Sequence, residues 1–407
     1  MSSTTTVVEV KSPQPQRASL AGTAATANVT AATETTSITN TSEAPIPPLT
    51  PEIHAPPPYA PTPAPTEEDL RVDRYDTNEG EPGGRIYVGG RKSKLAVVQS
   101  RYVASCLKNV HPGLNFPVIA LTTLGDRVKD RPLYAFGGKS LWTKELEIIL
   151  LNKLEGIEQI DMIVHSLKDM PTSLPDHCIL GAITQREDPR DALVMPLNSP
   201  YKHLKDLPDG SIVGTSSIRR SAQLKRRYPK LKFESVRGAV PTRLSKLDDP
   251  EGIYSCIILA AAGMIRLGLE KRITSFLEAP DMYYAVGQGA LGVEIRAGDD
   301  KIKRLVSRIN HRPTSMCCLA ERSLMKTLEG GCSVPIGVES NFESKTSLLE
   351  ITGIVVSVDG TECVQGTVSA IANTDEEAEQ VGRDLAADLL AKGAKKILDA
   401  IQLDHIE

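Results

Sequence analysis

Aromatic side chains are scarce in this 407-residue chain, making up 4% of it, with one tryptophan and five phenylalanines. Long basic runs are missing too, the longest being Lys225-Arg226-Arg227, so the composition does not describe a nucleic-acid surface of stacked rings and clustered cations. No apolar run approaches the roughly 20 residues that a membrane span needs. The seven cysteines are odd in number and never spaced Cys-x-x-Cys, which argues against a disulfide framework and a zinc site and fits a reducing, cytoplasmic setting. No metal-ligand set stands out.

The first 82 residues differ in kind from the rest. They hold 13 of the 28 prolines and are otherwise rich in Ser, Thr and Ala. Such a segment cannot bury enough apolar surface to offset its ordering entropy, so a disordered tail is expected. It carries 4 basic and 11 acidic residues, a net of −7, which leaves 43 basic against 40 acidic, +3, for the globular remainder. With Glu9, Glu34 and Glu43 against Lys11 and Arg17, it lacks the arginine-rich, acid-poor character of a mitochondrial leader. Pro56-Pro57-Pro58-Tyr59 reads either as an extended ligand for a WW domain or as plain linker.

The remainder is organised around Ile160 to Pro171. Met162 to Val164 reads as a short buried strand, and the polar cluster His165-Ser166-Leu167-Lys168-Asp169 sits at its carboxyl end, where open α/β sheets bind ligands. A Lys-Asp dipeptide alone reads equally as a surface ion pair. Around it, one pattern repeats: strand, small polar turn with cations, helix. It occurs at Arg85 to Val88 followed by Gly89-Gly90-Arg91-Lys92-Ser93. It returns at Ile212-Val213-Gly214 with Thr215-Ser216-Ser217-Ile218-Arg219-Arg220, and at Phe233 to Val236 with Arg237-Gly238-Ala239-Val240-Pro241-Thr242-Arg243. Free N–H groups and the positive end of a helix dipole make each turn an anion cradle. Alternating strands and helices imply mainly parallel sheets, and the clustered cradles imply two α/β lobes facing a cleft for a ligand with several negative groups.

Residues 126 to 139 lack periodicity and read as a mobile lid or a passive loop. The chain then changes character. Pro313 to Leu328 fits a helix closed by Gly330 and Gly331, Leu348 to Val356 and Glu362 to Ile371 flank the turn Asp359-Gly360 as a hairpin, and Thr374-Asp375-Glu376-Glu377 is a capping box. A small α+β domain from about residue 312 follows. Cys332, behind two glycines, is either a packed small hydrophobe or a thiol brought into the cleft beside a cation.

Five stretches in order, Gly90 to Ala96, Val164 to Pro171, Val213 to Arg220, Ala285 to Gly292 and Leu328 to Pro335, resemble hydroxymethylbilane synthases, also called porphobilinogen deaminases, of the fungal type. The resemblance implies two periplasmic-binding-protein-like lobes and a third domain. Its expected bounds are a tail over 1–82, domain 1 over 83–188 with about 284–307 returning to it, domain 2 over 192–283 and domain 3 over 312–407. It implies a dipyrromethane cofactor joined by a thioether to Cys332, porphobilinogen as substrate, and Asp169 as the catalytic carboxylate. Lys168, Ser217, Arg219, Arg220 and Arg237 match cofactor-binding positions, and Arg91, Ser93, Gln99, Lys139, Arg243 and Arg272 match substrate-binding ones. A monomer is the family expectation, while the composition argues against nucleic-acid and membrane partners. Two departures stand out: Ala239 replaces the usual Asn after the third cradle's Arg-Gly, and Ala135 occupies a lid position where bacterial relatives often have lysine. The competing reading is a two-lobed anion-binding protein without turnover, which needs neither Asp169 nor Cys332.

Overall fold

This computed structural model describes residues 72–75, 84–121, 140–153, 158–328 and 334–403, all within one compact unit, Pro63–Glu407. Pro56-Tyr59, the expected lid over 126–139 with Lys139, and Cys332 lie outside the described residues.

The chain runs β1 (Val72–Tyr75), β2 (Gly84–Arg85), β3 (Val88–Arg91), α1 (Lys94–Val110), β4 (Leu114–Asn115), β5 (Val118–Leu121), α2 (Ser140–Leu151), β6 (Met162–Ser166) and β7 (Cys178–Ile183). It continues with β8 (Asp191–Val194), β9 (Ile212–Gly214), α3 (Ile218–Arg227), β10 (Lys232–Glu234), α4 (Val240–Asp248), β11 (Cys256–Ala260), α5 (Ala261–Arg266) and β12 (Ser275–Leu277). β13 (Leu291–Arg296), α6 (Asp300–Ser307), α7 (Arg312–Thr327), β14 (Ile336–Glu343), β15 (Leu348–Val356), β16 (Cys363–Ile371), α8 (Asp375–Ala391) and α9 (Ala394–Leu403) complete it.

The first lobe is a six-stranded sheet ordered β1-β5-β3-β6-β13-β7, the second a five-stranded sheet ordered β10-β9-β11-β8-β12. In each, β/α crossovers make the parallel centre, β5-β3-β6 and β10-β9-β11, while the remaining neighbours pair antiparallel. β13 enters the first sheet from beyond the second lobe, so two chain crossings join the lobes. β6 is central and buried on both faces: Met162 and Val164 pack with Val103 and Leu107 of α1, Ile163 with Leu146 and Leu150 of α2. Each such side chain contributes about 1.5–3 kcal/mol of burial.

The first cradle differs from its expected form. Gly89 and Gly90 are not in the turn but in β3, because a Cβ on either would meet Ile160 Cδ1 or Ser100 Oγ at 2.6 and 2.3 Å. Ile160, just ahead of β6, and Ser100 of α1 press on β3 and leave room for backbone only, so the turn shrinks to Lys92-Ser93. β1 falls within the stretch expected to be tail; it adds to the edge strand β5, and four residues are too few to show a period. The third domain packs α7 and α8 on the three-stranded antiparallel sheet β14-β15-β16. Its local signals hold: Gly360 turns at φ +82, and Thr374 and Glu377 exchange the capping-box bonds, each 3.2 Å.

Candidate active site

β6 ends in a single 3-10 turn, Leu167–Asp169, closed by the Met170 N–H donating to the Leu167 carbonyl at 3.1 Å. Leu167 and Met170 are buried with Ile183, Ala290 and Cys318, so Asp169 is left exposed on a fixed frame and Lys168 half-buried. Gly287, at φ +70, lies against this turn: a Cβ there would sit 3.0–3.2 Å from Leu167 and the Lys168 nitrogen. Beside it, Gln288 is 1% exposed. Its side-chain oxygen accepts from Lys168 Nζ (3.3 Å), and its side-chain nitrogen donates to the Pro189 carbonyl (2.6 Å) and to Asp191 Oδ1 (2.9 Å).

Asp191 begins β8 and is fully buried. Arg219 Nη1 donates to its Oδ2 at 2.7 Å, and Arg220 Nε reaches its Oδ1 at 3.0 Å. Burial alone would raise this carboxyl, but the two guanidiniums hold it well below the usual carboxylate range. Arg219 also donates to the Tyr283 carbonyl (2.7 Å) and Arg220 to that of Ile258 (2.9 Å). Both arginines lie at the start of α3, whose N-cap Ser217 accepts from the Arg220 N–H at 3.4 Å. They are a fixed double charge over one buried carboxylate, not mobile surface cations.

The third cradle opens α4. Ala239 is its N-cap and offers no side-chain acceptor, and Pro241 fits the first turn, where its missing N–H loses nothing. The departure from Asn thus removes a cap without breaking the helix. Arg243, half-buried, donates from Nε to the Gly238 carbonyl at 2.8 Å. Burial first, then the like charges of Arg220 and Arg237, bring its guanidinium down to about 10, while Asp169 pulls the other way. Asp169 belongs to the first lobe and the three arginines to the second. Charges from both lobes therefore act on Arg243.

The other expected residues are placed less centrally. Ser93 caps α1, accepting from the Ala96 N–H at 3.3 Å, and Arg91 ends β3 half-buried. Gln99 is buried and donates to Ser166 Oγ at 2.8 Å, bracing β6 from α1. Arg272 spends its fork on Asp248, with both bonds 2.8 Å, on the second lobe. Sequence reasoning missed Asp191 and the role of Gln288. Neither has a local signature, since their partners lie far along the chain. Burial pushes the thiols of Cys178 and Cys256 up to about 12 and that of Cys317 up to about 11, so these are core residues rather than nucleophiles.

The model of the porphobilinogen deaminase dipyromethane cofactor binding domain matches residues 86–304, and that of the porphobilinogen deaminase C-terminal domain matches residues 315–391. Curated relatives called porphobilinogen deaminase are 62% identical over 323 residues in Yarrowia lipolytica (79% of this chain, 95% of that protein) and 59% over 318 residues in Candida albicans (78% and 93%). The one from Saccharomyces cerevisiae is 56% identical over 323 residues (79% and 98%). Among solved structures, a nutrient binding protein from Burkholderia cenocepacia bound to methionine aligns at TM-score 0.33 and 15% identity over 55% of this chain and 90% of that one, a likeness too distant to argue from. Two family models in chain order, with relatives matched over nearly their full length, show that the chain belongs to the porphobilinogen deaminase family, transferases that assemble hydroxymethylbilane on a dipyrromethane cofactor.

Proposed function

We propose that Asp169 is the catalytic acid and base of this site and that the cations facing it hold an acidic chain while it grows. The family reaction joins four porphobilinogen units by stepwise deaminative condensation on a covalently bound dipyrromethane primer and releases hydroxymethylbilane by hydrolysis, in heme biosynthesis. Turnover by a transferase family leaves no need for the reading of a binder alone.

The residues suit a polycarboxylate. Every pyrrole ring of such a chain bears an acetate and a propionate, and burial together with the like charges of Arg220 and Arg237 depresses Arg243. Carboxylates entering that field relieve the repulsion. Lys168, Ser217, Arg219, Arg220 and Arg237 would hold the cofactor, with Arg219 and Arg220 acting as fixed charge because Asp191 already binds their forks. Arg91, Ser93, Gln99, Lys139, Arg243 and Arg272 are assigned to substrate, and Cys332 to the thioether. When bound, the cofactor supplies the pyrrole carbon at which extension begins. Asp169 assists departure of the substrate's aminomethyl nitrogen, steadies the positive charge left on the substrate, and then holds the pyrrole N–H as the new carbon–carbon bond forms.

The observation that carries this reading is the hydrogen-bonded chain from Lys168 through Gln288 and Asp191 to Arg219 and Arg220, which links the turn bearing Asp169 to the paired arginines. Intact mass of the purified full chain tests the anchor: the wild type is expected to carry the extra mass of a two-ring pyrrole and to give a pyrrole colour reaction, and Cys332→Ala to show neither. A wild type without the added mass contradicts the reading. The six free cysteines among the described residues support a reducing, cytoplasmic location. Cell fractionation is expected to recover the protein in the cytosol; recovery in organelles contradicts that.

A further inference from the structure

Helix α7 does more than lead toward Cys332. Arg322, only 8% exposed, donates from Nη1 to the Met170 carbonyl (3.3 Å) and from Nη2 to the Pro171 carbonyl (2.6 Å), the two residues directly after the Leu167–Asp169 turn. Next to it, buried Glu321 accepts from the Gly287 N–H at 2.7 Å, and Gly287 is the glycine pressed against Leu167 and Lys168. One turn earlier, Cys318 packs with Leu167 and Met170. Residues 318, 321 and 322 share one helix face, so a single face of α7 grips the acid-bearing turn at its start, its flank and its exit.

We propose that Arg322 is a positioning residue for Asp169: it locks the exit of the turn to helix α7, and so fixes where the acid points. The proposal rests on the reading of Asp169 as the catalytic group. An arginine suits the task because its planar fork takes two neighbouring carbonyls at once, which a point-charge lysine does less well. β6 stops pairing at Ser166, and Pro171 has no N–H to offer, so the chain beyond the turn has no ladder to orient it. Without Arg322 the turn keeps its buried Leu167 and Met170 but loses its outer restraint, and the carboxylate drifts. Errors of this size in the placement of a reacting group slow chemistry more than binding.

The test uses the full-length holoenzyme with Arg322→Met, Arg322→Lys, Asp169→Asn and the double variant Arg322→Met/Asp169→Asn. Arg322→Met is expected to keep the covalent cofactor by intact mass and a KM within about threefold, while kcat falls roughly 10–100-fold. Arg322→Lys is expected to recover part of that loss. The double variant is expected to be no slower than Asp169→Asn alone, since a residue that acts by aiming a carboxylate has nothing left to aim. A merely structural role would leave the two losses multiplying, and that result overturns the proposal, as does wild-type kcat in Arg322→Met. Should Arg322→Met fail to fold, Arg322→Lys carries the test, with a kcat at least about threefold below wild type expected and an unchanged kcat overturning it. Wild-type turnover in Asp169→Asn sinks the reading of Asp169 and the proposal with it; loss in Asp169→Asn beside an unaffected Arg322→Met sinks the proposal alone.

Discussion

The two lobes hold charge in opposite ways. On the first lobe Asp169 stands exposed on a turn whose neighbours Leu167 and Met170 are buried, so hydrophobic packing fixes its backbone. On the second, Arg219 and Arg220 are themselves buried, and a carboxylate behind them, Asp191, fixes them. An acid that must exchange protons stays in contact with water, where its ionisation is easy. Cations that serve only as a field can be sunk and braced, provided a partner offsets the desolvation. Arg243 stands between the two arrangements: half-buried, hydrogen-bonded to the Gly238 carbonyl, and pressed by the like charges of Arg220 and Arg237.

That contrast can be broken most sharply at the brace. Asp191→Ala leaves two buried guanidiniums uncompensated and is expected to destabilise the fold by about 3–5 kcal/mol, read by chemical denaturation. The effect has a pH signature. The Asp191 carboxyl is depressed in the fold, so its contribution is complete above its unfolded value near 4 and is lost as pH falls and it protonates. The gap between wild type and Asp191→Asn is therefore expected to narrow below about pH 4. A gap that stays constant into acid contradicts the brace.

A gentler cut separates field from frame. Arg243→Gln removes a charge that burial and two arginines already disfavour, so melting is expected to shift by only a few degrees. Binding or turnover of the acidic substrate should fall about 10–100-fold, the equivalent of a charged hydrogen bond of roughly 1.5–3 kcal/mol. A steep loss of stability with unchanged kinetics would place Arg243 in the frame. The smallest expected effect is at Ala239, where Asn would supply the absent cap of α4 and raise stability by about 1 kcal/mol, measured by urea denaturation.

The same contrast explains what could be read from sequence. The capping box at Thr374 and the turn at Asp359-Gly360 depend on neighbours no more than four residues away, and the chain spells them out. The polar cluster that holds Asp169 was legible as the end of a buried strand, while the role assigned to Asp169 came from the family resemblance. Asp191 and Gln288 were not legible, because their partners come from 28 to 120 residues away and a buried polar residue resembles any other in sequence. Gly89-Gly90 misled for a related reason. A glycine pair reads as a turn, yet here it allows close packing against Ile160 and Ser100, which only the assembled sheet reveals.

The most direct measurement is the turnover of holo Asp169→Ala. Because the side chain is exposed and its frame is packed independently, the variant is expected to fold, to keep its covalent cofactor mass and to melt within a few degrees of wild type. Its kcat is expected to fall by about 10²–10⁴, the range for loss of a general acid or base. Wild-type turnover in a folded, cofactor-bearing Asp169→Ala would contradict the account.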